Sequence, residues 1–253
     1  MNITLFQWST HWLNPSENLA EIASACETMH TETDLVVLPE MFTTGYVLNT
    51  KLLKLKWQEE TIQQLTALAK KSGLTFMGSI PFFSSGRWFN TMVTISGEGL
   101  LHTYDKIHLF SPAGENKDYS SGGHSTHCLV EGWNIKPLIC YDLRFPYLSF
   151  TKEQTGILIY SANWPESRID HWASLLQARA IENQCYVIGV NRTGMDPNGY
   201  VYLGKSMVIN YDGKILHELG ELPSFDTCFL DKNGMSTYRE KLPFFLDRKK
   251  KYF

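Results

Sequence analysis

Pro137-Leu138-Ile139-Cys140-Tyr141-Asp142-Leu143-Arg144-Phe145-Pro146 is the stretch on which the reading of this chain turns. An apolar run ends on a cysteine, and the residues after it predict a tight turn followed by a helix. A side chain at such a junction stands at the carboxyl end of a strand, where open α/β sheets present their ligand groups. The arrangement is that of a nucleophile elbow. Free N–H groups and the macrodipole at a helix start favour a thiolate over the ordinary thiol pKa of ~8.5. The next N–H, from Tyr141, is placed to help hold an oxyanion. Read alone, an isolated cysteine such as Cys140 is usually inert packing.

Two further segments put a reactive group just past an apolar run. Leu35-Val36-Val37-Leu38-Pro39-Glu40-Met41-Phe42 ends on an acid, either a plain loop carboxylate or, in an apolar setting, a general base with a raised pKa. Tyr104-Asp105-Lys106-Ile107-His108-Leu109-Phe110 carries Lys106 out of a strand into a long loop. It is either an exposed lysine or a cation that stabilises charge developing on a carbonyl oxygen.

The pattern around these segments mixes crossovers with hairpins. Apolar runs at Ile3 to Trp8, Leu35 to Leu38 and Ile157 to Tyr160 predict buried strands. Helical periods cover Pro15 to Met29, with Asn14 as cap and Glu17 at N3, then Trp57 to Lys71, stopped by Gly73, and His171 to Asn183. Elsewhere strands follow strands. Phe76 to Phe83, Trp88 to Ile95 and Leu100 to Tyr104 are joined by Ser84-Ser85-Gly86 and Gly97-Glu98-Gly99. Met207 to Tyr211 and Lys214 to Glu218 flank Asp212-Gly213. Two packed sheets with helices outside satisfy both patterns, and with no repeat or linker the 253 residues are expected to form a single α/β domain.

Composition narrows the function. With 23 basic and 26 acidic side chains, a net charge of -3, the chain lacks the clustered positive field that nucleic acid asks for. The basic run Arg248-Lys249-Lys250-Lys251 reads as a solvated tail. No stretch approaches the ~18 apolar residues of a membrane span, and the N-terminus lacks the marks of a signal peptide. Five cysteines without close pairing suit a reducing cytoplasm. Cys26, Cys185 and Cys228 read as core. His124-Ser125-Thr126-His127-Cys128 has no second ligand pair at metal-site spacing. Asp118 and Tyr119 read as loop residues.

Taken together, Glu40, Lys106 and Cys140, in this order and with these flanks, resemble the Glu-Lys-Cys triad of the nitrilase, or carbon–nitrogen hydrolase, superfamily. The resemblance extends to Ser161-Ala162-Asn163-Trp164-Pro165, to Ala178-Arg179-Ala180-Ile181-Glu182-Asn183, and to Gly204-Lys205-Ser206. The form Cys-Tyr-Asp-Leu-Arg-Phe-Pro is most similar to the omega-amidase branch, which hydrolyses the terminal amide of 2-oxoglutaramate and 2-oxosuccinamate. The resemblance implies a four-layer αββα sandwich paired into homodimers or larger assemblies. It implies a second glutamate at Glu115, nine residues past Lys106. It also implies hydrolysis through a cysteine thioester, with water as co-substrate and neither a metal nor an organic cofactor.

For substrate binding the expected residues are Arg144, Tyr46 and Trp164. Arg144 is equally a scaffold ion pair with an acid, and Trp164 is equally a packing residue. A lid role for Ser111 to His127 stays open. Within the superfamily, an N-carbamoyl amino acid amidohydrolase or an aliphatic amidase would carry the same triad. A true nitrilase usually reads Cys-Trp-Glu. Outside it, a metal-dependent phosphoesterase on an αββα sandwich would need clustered Asp, His and Asn ligands. A non-catalytic protein that has kept the fold is the remaining reading.

Overall fold

A computed structural model describes residues 1–29, 32–150 and 155–249. Along the chain run β1 (Asn2–Gln7), α1 (Pro15–Cys26), β2 (Leu35–Val37), α2 (Leu55–Ser72), β3 (Thr75–Ser84), β4 (Arg87–Ser96) and β5 (Gly99–Asp105). A short helix α3 (Glu115–Asp118) precedes β6 (Cys128–Val130) and β7 (Trp133–Ile139). Then follow α4 (Pro146–Ser149), β8 (Ile157–Ala162), α5 (Ile169–Asn183), β9 (Tyr186–Asn191), β10 (Thr193–Met195), β11 (Val201–Leu203), β12 (Met207–Ile209), β13 (Ile215–Glu218), β14 (Ser224–Phe229) and α6 (Lys232–Lys241).

The strands make two six-stranded mixed sheets, ordered β14-β1-β2-β3-β4-β5 and β13-β12-β9-β8-β7-β6, and a β10-β11 ribbon. In each sheet the central strands are parallel and the outer pairs antiparallel. The sandwich follows from strand alternation. Leu35 and Val37 enter the core shared with Ile157, Ile159 and Ile188 of the other sheet. Val36 and Leu38 face the opposite way, onto Leu19 and Ile22 of α1 and Leu65 and Ala69 of α2. Every side of these strands is buried, so their sequence is continuously apolar. On the far side α5 presses Trp172 and Leu176 so closely onto β9 that Gly189 leaves no room for a Cβ. The layers are therefore helix, sheet, sheet, helix.

Local signals are honoured with small shifts at the ends. Asn14 caps α1 by accepting from the Glu17 N–H at 3.3 Å, but the helix stops at Cys26 rather than Met29. Gly73 ends α2 in the left-handed region at φ 76°. Ser85 and Gly86 both take positive φ, at 50° and 78°, the two-residue turn that matches strand twist. Arg248, which opens the basic C-terminal run, is more engaged than a solvated tail would be. The Arg248 guanidinium lies 4.8 Å from the Phe150 ring and donates to Asn183 Oδ1 at 3.2 Å. Lys250 and Lys251 lie outside the described residues.

Candidate active site

The loop carrying Glu40 leaves β2 and is clamped to β3. The Leu38 N–H donates to the Met77 carbonyl at 2.7 Å, and the Met41 N–H to Ser79 Oγ at 2.9 Å. Gly78 lies so close to Leu38 and Phe42 that no Cβ fits there. Glu40 is thereby turned inward and fully buried. Its surroundings are polar, so it is neither a plain loop carboxylate nor an acid in an apolar setting. Oε1 accepts from Lys106 Nζ and from Asn90 Nδ2, both at 2.8 Å, while Oε2 accepts from the Asn163 N–H at 2.9 Å.

Lys106 follows β5 and is fully buried, not exposed. Its ammonium bridges Glu40 at 2.8 Å and Glu115 at 2.9 Å. Burial alone would pull the lysine down, but Glu115 and Glu40 beside it hold it well above its ordinary range. Glu115 opens α3 and also accepts from Tyr46 Oη at 3.1 Å, Asn90 Nδ2 at 3.0 Å and the Phe110 N–H at 2.6 Å. Two carboxylates thus share one ammonium, and neutral donors satisfy the remaining lone pairs. Burial, then Glu115 and Glu40, push the Tyr46 phenol up, so it stays a donor. Tyr119, read as a loop residue, is buried with its hydroxyl on the Val47 carbonyl at 2.7 Å, and Asp118 closes α3.

Cys140 directly follows β7 with φ 43°, a left-handed value that costs a non-glycine residue energy. A 3-10 turn, Cys140–Arg144, follows, and then only the four-residue α4. The expected helix start is therefore too short to supply a macrodipole, and the thiolate it was to favour is not the resting form. Burial and then the Glu40 carboxylate push the Cys140 thiol up, against an opposing pull from Lys106. The sulfur lies 4.0 Å from the Asn163 carbonyl oxygen. The turn is pinned by Asp142, which accepts from the Ile139 N–H at 3.0 Å, Tyr104 Oη at 2.8 Å and the His108 N–H at 3.0 Å. One buried carboxylate thus ties the cysteine turn to the segment that carries Lys106.

Cys140 opens into a cavity of about 350 Å³, lined also by Tyr46, Tyr141, Arg144, Trp164, Arg168 and Tyr202. Tyr141 is half-buried, its ring against Phe110 at 5.0 Å. Arg144 forms no scaffold ion pair among the described residues. Its guanidinium lies 5.0 Å from the Trp164 ring, and Nη2 donates to His171 Nδ1 at 3.1 Å. Trp164 fills both expected roles, lining the cavity and packing on Trp172 at 5.5 Å. Sequence reasoning assigned no role to Asn90, Asp142 or Asn163. Asn163 carried a signal within Asn163-Trp164-Pro165, whereas Asn90 reads as an ordinary polar position of a strand. Among the described residues no group of three or more His, Cys, Asp or Glu is arranged to hold a metal.

Comparison with known proteins gives a consistent picture. The family model for carbon-nitrogen hydrolases matches residues 2–224. The chain is 37% identical to the omega-amidase YafV of Escherichia coli over 98% of its own length and 96% of the relative's. It is 35% identical to the 2-oxoglutaramate amidase of Bacillus subtilis, covering 98% of this chain and 97% of that one. The crystal structure of a CN-hydrolase superfamily protein from Xanthomonas campestris, with an arsenic adduct in its active site, superposes with a TM-score of 0.93 at 31% identity, covering 98% of this chain and 97% of that one.

Proposed function

The chain belongs to the carbon–nitrogen hydrolase family, and from that premise we propose that it is an omega-amidase. It hydrolyses the terminal amide of a 2-oxo dicarboxylic acid monoamide such as 2-oxoglutaramate or 2-oxosuccinamate. The observation that carries this reading is the buried Glu40–Lys106–Glu115 cluster beside a strained cysteine at a cavity that also holds Arg144. Full-length relatives named as omega-amidase and 2-oxoglutaramate amidase support the substrate class.

The roles follow from the chemistry of each group. The Cys140 thiol gives its proton to Glu40 as the sulfur attacks the amide carbonyl. The raised thiol suits this coupling, because the proton leaves only as the attack proceeds. Lys106 and the Tyr141 N–H, which lies in the first turn of the 3-10 segment where helices leave donors unused, stabilise the tetrahedral oxyanion. Glu40 passes the proton to the leaving nitrogen, the C–N bond breaks, and ammonia departs from a thioester. Glu40 then deprotonates water, which attacks the thioester, and the acid leaves as the thiol is restored. Glu115 and Tyr46 orient Lys106. Arg144 grips the substrate carboxylate, with Trp164 as wall. The scheme assigns no step to a metal or an organic cofactor.

Residues 1–253 are read as one domain: the family match covers residues 2–224, and β14, which begins at Ser224, pairs with β1 in the first sheet. Five free cysteines support a reducing, cytoplasmic setting. Exposed apolar side chains such as Ile181, Phe244 and Leu246 support pairing into homodimers or larger assemblies.

Ammonia release tests the reading. Wild type should release ammonia from 2-oxoglutaramate and far more slowly from glutamine and propionamide, and Cys140→Ala should abolish it. Fast hydrolysis of propionamide with none of the oxo acid amide would overturn the omega-amidase reading in favour of an aliphatic amidase.

A further inference from the structure

Two guanidiniums line the cavity with the thiol, and neither pairs with a carboxylate among the described residues. Arg168 ends the 3-10 turn Glu166–Arg168 ahead of α5, and its guanidinium lies 5.4 Å from the Phe110 ring. Arg144, on the turn after Cys140, lies 5.0 Å from the Trp164 ring. Trp164 links the two, because Arg144 lies against its ring while its Nε1 donates to the Arg168 carbonyl at 2.7 Å. Among the described residues no Asp or Glu lines the cavity.

We propose that Arg168 and Arg144 together form the carboxylate-binding end of the cavity, and that Arg168 is the residue that selects 2-oxo acid amides over α-amino acid amides. A guanidinium over a ring face keeps its N–H donors clear of the ring; Arg144 uses one on His171 Nδ1 and Arg168 one on Ser167 Oγ, which leaves the others for a carboxylate, and the half-buried apolar walls reduce screening of the charge. An α-ammonium such as that of glutamine would meet two cations and no compensating acid. A ketone at the same carbon carries no charge and meets no such repulsion. The choice between the two substrate classes is thus electrostatic, made at the end of the cavity remote from the reacting amide.

The substrate named here rests on the omega-amidase reading, but carboxylate binding can be measured without turnover. The probe is 2-oxoglutarate, and the readout is protection of Cys140 from iodoacetamide, followed by intact mass. For R168Q the half-protecting concentration should rise roughly 10- to 100-fold, the span expected for losing hydrogen bonds to a charged group. Without ligand, alkylation should proceed as in wild type, and R168K should recover part of the protection. The ratio of kcat/KM for 2-oxoglutaramate to that for glutamine should fall in R168Q, mainly through KM. An unchanged half-protecting concentration would overturn the proposal, as would an altered unliganded alkylation rate, which would mark a structural role. If 2-oxoglutarate protects wild type through Arg168 but no ammonia appears from 2-oxoglutaramate, the omega-amidase reading fails and the carboxylate site stands.

Discussion

Among the described residues two lysines are buried, one supplied by each sheet, and they titrate in opposite directions. Lys106, fully buried, sits between two carboxylates that more than offset the loss of water and raise it. Lys136, 2% exposed in β7, donates among the described residues only to the carbonyls of Leu148 and Phe150, and burial pulls it down to about 8 against a weaker opposing pull from Asp142. Desolvation is common to both, so the partner decides. A full negative charge holds a buried ammonium in place, whereas carbonyl dipoles compensate it only in part. The sheet that supplies Lys106 therefore keeps charge for chemistry, and the sheet that supplies Cys140 carries its lysine at a cost to stability.

The largest effect that separates the two is expected from Lys106→Met. It strands Glu40 and Glu115 together, and breaking a buried pair in this way costs roughly 3–5 kcal/mol. Two like carboxylates left side by side take up a proton in the folded state, which raises a folded-state pKa above the unfolded value. The stability of this variant should therefore fall as pH rises through that raised value, and urea unfolding at pH 5 and pH 8 measures it. Turnover should be lost as well. A variant as stable as wild type at pH 8 would contradict the shared-ammonium account.

Glu40→Gln comes next. It keeps the shape but not the base, so kcat should drop about 10²- to 10⁴-fold. The same change removes a carboxylate that pushes the Cys140 thiol up. Alkylation of Cys140 should thus titrate at lower pH while hydrolysis fails, and a titration shifted upward would break this part of the account.

Lys136→Met is expected to act in the opposite sense to Lys106→Met. A base with a folded-state pKa of about 8 against 10.5 when unfolded binds fewer protons folded, so wild-type stability should rise with pH between those values. At pH 7 the penalty amounts to about 3 kcal/mol, at 1.36 kcal/mol per pKa unit. Lys136→Met should be neutral or stabilising at pH 7, with activity retained and that rise abolished. Marked destabilisation at pH 7 would show that the carbonyl contacts outweigh desolvation.

The smallest effect concerns strain in the nucleophile turn. At φ 43°, Cys140→Gly should be more stable than Cys140→Ala by about 1 kcal/mol, since glycine adopts this region without penalty. Equal midpoints in urea would contradict it.

What the sequence made legible was the part written locally. Apolar runs, the Asn14 cap, the Gly73 stop and the turn residues each act over a few positions, so the sandwich could be read from pattern, and the ordered Glu40, Lys106 and Cys140 from motif. The polar environment of Glu40 was not legible, because Asn90 and Asn163 reach it from 50 and 123 residues away. Asp142 sits two residues past Cys140 and reads as turn chemistry, because the partners that make it a pin, Tyr104 and His108, lie 38 and 34 residues away. The thiol state was misread for a related reason: a helix start was inferred from local residues, whereas the pKa is set by burial and by Glu40 arriving from the other sheet.

The central claim is that the amide carbon is carried on Cys140 between two half-reactions. Acid-quenching wild type during turnover of 2-oxoglutaramate, then locating the adduct by peptide mass spectrometry, tests it directly. An acyl group on the peptide containing Cys140, absent from Cys140→Ala, is the predicted result. Ammonia release that persists in Cys140→Ala, with no acyl adduct in wild type, would contradict it.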